Sequence, residues 1–491
     1  MAFRARLSIP PAAPREDWPY HQASWSSVST LFIREGDRRM EAETFLSRGY
    51  GVRIGIAAKE GWASLSRFAD VTQPSRTKAT LVSPEHGKPF LAATQVFDVR
   101  PIPRKWLAPS KIAHVQTLFV KHGAILVTRS GNVGRTTLSF APHLNTLISD
   151  DLLRIEVRDP RTRGWIYAFL RAPKVRAMMT SAHYGHVIKH LETSHLGALP
   201  VPCVRNRWLT HFEQRVSEIL DLRDAAYTAT LAAEQHFAQR VGPIKITARG
   251  EEGFVVKVNE SLVKLRRRLE ASAHNPGATQ ILQHFDRARL RIQPLRLVAE
   301  RIWWMTRFKR VFGEQGVRYL SADELFQVNP EITKRVLIEQ ANDADAYFVK
   351  SGWLVMACSG QTYGLLGSVR LMTTYEEDAF LSHDIIRITP RAEGARSGYI
   401  LVALTHPEFG RPLVLRYAYG TSIPHLDPGD IASCPIVRLE ERDENRIADL
   451  SEKAAELRSR ADSLENEIAS EAEAILDRFI AGDTSDLKTT V

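Results

Sequence analysis

GKPFLAATQVFDVRP (87–101) and GVRYLSADELFQVNP (316–330) are one motif written twice, without a gap, 229 positions apart. Six of the fifteen positions are identical: Gly87/Gly316, Leu91/Leu320, Ala93/Ala322, Phe97/Phe326, Val99/Val328 and Pro101/Pro330. The same offset lays RRMEA (38–42) on RRLEA (267–271), Phe119-Val120-Lys121 on Phe348-Val349-Lys350, and Ser130-Gly131 on Ser359-Gly360. Further on the offset drifts by a few residues, as loop insertions cause. Gly164 then meets Gly398, Pro173 meets Pro407, Tyr184-Gly185 meets Tyr419-Gly420, and His190-Leu191 meets His425-Leu426. A duplication on this scale predicts a pseudo-two-fold object, suited to a ligand that is itself repeated or two-fold.

The totals fit that reading. A chain of 491 residues is too long for one core and is expected to divide. The 44% apolar and 25% charged fractions are those of an ordinary soluble globular protein. No stretch approaches eighteen apolar residues and the opening MAFRARLSIPPAAPRED has no apolar h-region, so neither a membrane span nor a signal peptide is expected. Cys203, Cys358 and Cys434 lie far apart, which disfavours a disulfide framework or a cysteine zinc site and suits a reducing cytoplasm. The net charge is +10 and unevenly placed. Residues 443–482 hold five Lys/Arg against eleven Asp/Glu, a balance of −6 that leaves +16 on the remainder. A basic body suggests a polyanionic partner, and an acidic helical stretch a protein one. A generally basic soluble protein would show the same total.

Each copy reads as a leading element, a mixed region with apolar strand-like runs (124–128; 353–357), a helical stretch (165–179; 399–404), and a proline-bearing strand. That strand is LPVPCV (199–204) or CPIV (434–437), and a long helix follows it. The fold class expected is α/β (α+β), divided into an N-terminal tail 1–22, a first domain 23–205, a helix 206–240, a linker 241–253, a second domain 254–437, a helix 438–482 and a C-terminal tail 483–491. The segment VGPIKITARGEEG (241–253) reads as the linker from its glycines, its proline and its lack of periodicity. Both tails are expected to be loose.

In the second closing helix Ile447, Leu450, Ala454, Leu457, Ala461, Leu464 and Ile468 alternate spacings of three and four, the a/d seam of a coiled coil. Leu209, Phe212, Val216, Ile219, Ala226, Ala233 and Phe237 keep the same frame in the first, interrupted by Arg223 and Thr230. Two such helices in one chain most simply pair with each other, and about 35 residues make a rod of roughly 50 Å that would hold two domains apart. The competing reading packs each helix on its own domain.

Candidate chemistry sits in two loops per copy. LVTRSGNVGRTTL (126–138) looks like a phosphate loop but lacks the G-x-x-x-x-G-K-[ST] spacing, and Arg135 stands where the lysine belongs. Its counterpart ACSGQTYGLLG (357–367) has no basic residue at all. The preferred reading is a glycine-shaped loop offering backbone N–H groups and short polar side chains to a nucleic acid. Thr128, Arg129, Ser130, Asn132 and Arg135 would make its contacts in the first copy, and Ser359, Gln361, Thr362 and Tyr363 in the second. The second loop, YGHVIKHL (184–191) against YGTSIPHL (419–426), likewise has fixed flanks and a varied middle. Tyr184, His186, Lys189, Tyr419, Thr421 and Ser422 are its candidates, with Lys189 aimed at a phosphate and His186, Thr421 and Ser422 at base edges. An ordinary tight hairpin is the plain alternative for either loop. His183, His186, His190 and His195 invite a metal assignment, but only Glu192 stands near them and the second copy keeps only His425. A histidine capping the following turn is the better reading.

No DPPY- or NPPF-like methyltransferase motif, S-adenosylmethionine loop, nuclease D…ExK cluster, H-E-x-x-H or G-x-S-x-G is present. The chain is therefore expected to be non-catalytic and to bind neither metal nor cofactor. Two rivals stay open: a duplicated protein-interaction scaffold that never touches DNA, and a nucleotide-dependent enzyme resting on GNVGRTT.

Over residues 24–482 the order of these motifs, their duplication and the helix after each copy resemble the specificity (S) subunits of type I restriction–modification systems. The resemblance implies two target-recognition domains at the ends of an antiparallel coiled coil, each reading one half of a bipartite double-stranded DNA site. It also implies two methyltransferase (M) subunits, which use S-adenosylmethionine, and often a translocating restriction (R) subunit. Two features depart from the family. RNRWLT (205–210) and VRLEERDEN (437–445) lack the glutamine common at the family's helix start. RRMEA and RRLEA resemble a segment of divergent S-like subunits, which points toward a related anti-phage system built on a partner methyltransferase.

Overall fold

The computed structural model describes residues 48–76, 78–181, 190–246, 253–256, 268, 270–330, 334–341 and 343–488. The RRMEA element, the N-terminal tail 1–22, residues 247–252 of the linker and the loop 182–189 lie outside them. The described residues of Met1–Phe97, Pro101–Asp221 and Ser463–Val491 form one compact unit, and those of Asp98–Arg100 and Leu222–Asp462 a second. Helix and sheet are mixed in both.

In the first unit a four-stranded antiparallel sheet runs Ala69–Thr72, Leu152–Val157, Ile125–Thr128, Thr136–Leu138. In the second the order is Ala299–Trp303, Ile385–Pro390, Leu354–Ala357, Val369–Leu371. The central registers match: Ile125 faces Ile155 where Leu354 faces Ile388. Each unit also has one short parallel pair formed by the repeated motif, Phe90–Leu91 on Leu147–Ile148 and Tyr319–Leu320 on Phe380–Leu381. Among the described residues the proline strands pair once each, Pro200–Pro202 with Trp62–Ser64 and Pro435–Arg438 with Arg291–Pro294. A two-stranded edge is where a residue without an N–H is tolerated.

The central strand Leu354–Ala357 is apolar throughout because both of its faces are covered. Leu354, Met356 and Cys358 enter one core cluster, and the alternate residues Val355 and Ala357 another. An arginine lies inside each sheet at the same register, Arg154 opposite Leu126 and Arg387 opposite Val355. Arg387 donates to Ile385 O (3.2 Å) and Tyr347 O (3.1 Å), and Arg154 to Leu152 O (2.8 Å) and Ile148 O (3.0 Å). Burial lowers both guanidinium pKa values to about 10.

The helical stretch expected over 165–179 is two helices, Arg163–Arg171 and Pro173–Ser181. Pro173 has no N–H to give and disfavours helical backbone before it, and Ala172 is extended (φ −61°, ψ 133°). His406 before Pro407 breaks the second copy in the same way (φ −51°, ψ 125°).

The long helices are Asn206–Val241 and Glu441–Ala481, each divided between the units near its middle. Within the first unit His211 Nε2 lies 2.6 Å from Glu471, and Arg215 lies 3.8 Å from Glu467. Within the second, Arg223 pairs with Asp462 (2.5 Å) and His236 with Asp443 (2.9 Å). In both units the contacts climb one helix as they descend the other. Phe212, Val216, Ile219, Ala226, Ala233 and Phe237 of the expected seam are buried, as are Ile447, Ala454, Ala461, Leu464 and Ile468. Leu450 and Leu457 are half-buried.

The two residues that interrupt the first seam have partners. Arg223 reaches Asp462, and Thr230 Oγ1 accepts from Arg458. The repeated motif ends in this region. Asn329, in left-handed backbone (φ 52°), donates its N–H to Asp462 Oδ1 (2.9 Å). Its counterpart Arg100 makes a two-pronged pair with Glu234 of the first long helix (3.0 and 2.6 Å). Asp98 forms a β-bridge with Gln327, the equivalent position of the other copy.

The expected loose C-terminal tail is corrected through Lys488. Leu487 is 3% exposed and bridges Val204, Lys488 N–H donates to Cys203 O (2.9 Å), and Asp486 binds Arg478, Arg207 and Trp208. The acidic stretch is also used internally. Besides Asp443 and Asp462, Glu444 meets Arg438, Asp449 and Glu452 meet Arg396, and Glu473 and Asp477 meet Lys174.

Candidate nucleic-acid interface

Each unit builds its site on the turn that follows the central strand. Gly134 N–H donates to Thr128 O (2.8 Å) in the first unit, and Gly367 N–H to Ala357 O (2.9 Å) in the second. Both glycines have positive φ, 75° and 73°, which a β-carbon would strain. The same closure thus holds loops of different length and side-chain content.

The turn is joined to the second loop identically in both units. Leu191 N–H donates to Arg129 O (2.8 Å) and Ser130 bridges His190; Leu426 N–H donates to Cys358 O (2.8 Å) and Ser359 bridges His425. The structure therefore brings together the two variable loops of the second unit, and in the first unit ties the turn to the described end of the second loop, His190–Leu191.

In the first unit the candidates divide. Thr128 is 7% exposed, its hydroxyl donating to Asn132 O (2.5 Å) and accepting from Arg135 N–H (2.8 Å). Arg135 is 5% exposed, its guanidinium 4.0 Å from the centre of the Phe97 ring. The structure places these two side chains inside the loop, Thr128 at the end of one strand and Arg135 just before the next, Thr136–Leu138. Arg129 lies half-buried against Glu192 (2.7 Å), Ser130 bonds Asp151, and exposed Asn132 accepts from Arg176 (2.8 Å). Tyr184, His186 and Lys189 lie outside the described residues, as does His183. His195 accepts the Glu192 N–H (3.4 Å) and so caps the short helix Thr193–Gly197. Among the described residues no three His, Cys, Asp or Glu side chains converge as a metal site.

In the second unit the cluster is open to solvent. Gln361 Nε2 donates to Ser422 O (3.1 Å), and Gly360 N–H to Pro424 O (3.1 Å), tying the two loops at their tips. Gln361, Thr421 and Ser422 are exposed, with Tyr363 at 67% and Ile423 at 59% exposure. Thr362 is half-buried, its carbonyl accepting from Arg411 (3.4 Å). Tyr419 closes its own hairpin with His425 (3.0 and 2.7 Å) under the guanidinium of Arg268, 5.7 Å from the ring centre, and burial raises its pKa.

Sequence reasoning missed Arg307, Lys309 and Arg310 of the second unit. The signal was the run RFKR (307–310), which belongs to none of the repeated motifs.

Among the described residues no helix is long and apolar enough to cross a membrane. No protein-family model matches the chain, and no curated protein matches it. Solved structures do. The S subunit of a type I restriction–modification system from M. genitalium is 13% identical, over 87% of this chain and 96% of that one, with a TM-score of 0.28. The HsdS subunit from Thermoanaerobacter tengcongensis is 13% identical over 86% and 97%, with a TM-score of 0.25. A chain from a study of complex assembly and conformational transition of the type I R-M system is 14% identical over 87% and 99%, with a TM-score of 0.27.

Proposed function

We propose that this chain is a non-catalytic DNA-specificity subunit that reads a bipartite double-stranded site with two recognition domains. The observation that carries the reading is the repeated loop junction. Backbone bonds at Arg129/Leu191 and Cys358/Leu426 are the same in both units, while the side chains displayed beyond them differ. A fixed frame with changed contact residues is what two readers of different half-sites require. The two long helices serve as an antiparallel coiled-coil spacer between recognition domains taken as 23–205 and 254–437. Ser130, Asn132, Gln361, Thr362, Tyr363, Thr421 and Ser422 make the contacts, supported by Arg129 and Tyr419, with Tyr184, His186 and Lys189 completing the first half.

The partners are duplex DNA, two methyltransferase subunits that bring S-adenosylmethionine, and in a restricting system a translocating nuclease, all in the cytoplasm. A protein-only scaffold is less well supported, because the acidic stretch that would attract a protein already meets internal cations. Single-molecule methylome sequencing of host DNA with and without the intact gene tests the reading. Loss of adenine methylation at one bipartite motif is expected. An unchanged methylome, with the partner methyltransferase expressed, would overturn it.

A further inference from the structure

The second unit's loops present a problem of affinity. Neither 358–367 nor 419–426 contains a lysine or arginine, yet phosphate neutralisation supplies much of the free energy of protein–DNA binding. The cations must come from elsewhere in that unit.

They are on the segment between strands Ala299–Trp303 and Phe312–Leu320. Phe308 turns inward against the stacked rings of Tyr347 and Phe380, at 5.0 and 5.4 Å. The backbone is tied on either side, Thr306 O accepting from the Tyr347 hydroxyl (2.6 Å) and Val311 O from Leu337 N–H (2.8 Å). With Phe308 anchored, its neighbours Arg307 and Lys309 face solvent, and Arg310 is exposed beside the Tyr319 hydroxyl (3.4 Å). Together with Lys334 they line an open cavity of about 770 Å³. Lys334 is paired with Glu324 (3.1 Å), whereas among the described residues no carboxylate comes within ion-pair distance of Arg307, Lys309 or Arg310. Three cations on four residues of a pinned segment repel one another, and a polyanion relieves that repulsion. Exposed Phe312 lines the same cavity.

The cavity belongs to the same unit as the loops 358–367 and 419–426. Arg310 and Arg307 are close enough to His383 to disfavour its charged form, whose pKa lies below the usual histidine value chiefly through burial. The next residue, Asp384, accepts the Cys358 N–H at its carbonyl (3.3 Å), one residue before Ser359.

We infer that Arg307, Lys309 and Arg310 form a sequence-independent anchor for the phosphodiester backbone of duplex DNA beside the second half-site, an assignment that rests on the DNA-recognition reading. The anchor supplies affinity and register, and the neutral loops supply discrimination.

The test uses the full chain and a mixed-sequence duplex, with binding followed by fluorescence anisotropy across a salt series. In the triple variant Arg307→Gln/Lys309→Gln/Arg310→Gln the slope of log K against log salt should shrink by roughly two to three, at about 0.9 per lost phosphate contact. Arg307→Lys/Arg310→Lys, which keeps the charges, should retain the wild-type slope. If the wild type binds duplex and the triple variant matches it in affinity and slope, the anchor is wrong and the DNA reading survives. If the folded wild type shows no duplex binding even at low salt, the DNA reading falls and the anchor with it. Tighter binding of RNA than of duplex DNA would overturn the ligand assigned here.

Discussion

Arg223 of the first long helix donates to Asp462 of the second at 2.5 Å, with the two side chains 4% and 1% exposed. Asp462 also accepts from Asn329 N–H (2.9 Å) and stands 3.6 Å from Arg370, so one carboxylate faces two guanidiniums and a backbone donor. Removing it takes the carboxylate partner from buried Arg223, whereas Arg370 keeps Glu376 (2.6 Å). Asp462→Ala should cost about 3–5 kcal/mol, whereas Arg223→Met, which leaves Asp462 paired with Arg370, should cost less. Urea denaturation followed by tryptophan fluorescence compares the two, and equal losses would count against Asp462 as the hub.

Gly164 and Gly398 occupy equivalent places where a short helix meets a long one. A β-carbon on Gly164 would lie 2.3 Å from the backbone of Phe212 and Glu213, and one on Gly398 2.6 Å from Ala448 O. Their N–H groups donate to Glu213 (2.9 Å) and Glu452 (3.1 Å), so the approach is fixed by hydrogen bonds as well as by size. Gly164→Ala and Gly398→Ala should each destabilise by about 1–3 kcal/mol through overpacking. Thermal unfolding of the two single variants and the double variant should show near-additive losses, since the sites share no partner.

What could be read from the chain beforehand was whatever rests on period and repetition. The 229-residue offset located equivalent strands because loops drift while paired strands keep register, and the three-four spacing located the long helices. Arg223 and Thr230 looked like flaws because their partners Asp462 and Arg458 lie more than two hundred residues away. Arg135 looked like a phosphate contact because its neighbourhood is glycine-rich. Only the sheet shows that its side chain turns back onto Phe97. The RFKR cavity was illegible for a related reason, since Phe308 sorts that run into inward and outward residues only once Tyr347 and Phe380 are stacked beneath it.

Acid should weaken the second unit through His406. This ring is 5% exposed among Phe237 and Phe409, and burial holds its pKa below the usual value near 6.5. The unfolded chain therefore binds the proton first. The stability contributed by the neutral ring is present above about pH 6.5 and is lost as pH falls toward the folded pKa. The slope in that window should be at most about 1.4 kcal/mol per pH unit. Denaturation midpoints at pH 7.5, 6.5 and 5.5 should fall less steeply for His406→Phe than for wild type. Parallel profiles would place the acid sensitivity on another group.

Half-site independence is the sharpest expectation of the two-reader arrangement. Gln361 is exposed and tied to the second loop at Ser422 O, so Gln361→Ala removes a displayed amide and one loop-tip bond without touching the closure at Gly367. Asn132→Ala does the corresponding thing in the first unit, removing the bond from Arg176 while leaving the Thr128 closure in place. If either side chain makes a good bidentate base contact, its loss should relax one base position by about 1–3 kcal/mol of discrimination. The methylome of each variant reports both halves at once. Gln361→Ala should broaden one half of the motif and Asn132→Ala the other, with the spacer length unchanged in both. Simultaneous broadening of both halves by either substitution would mean that the loops act as a single reader.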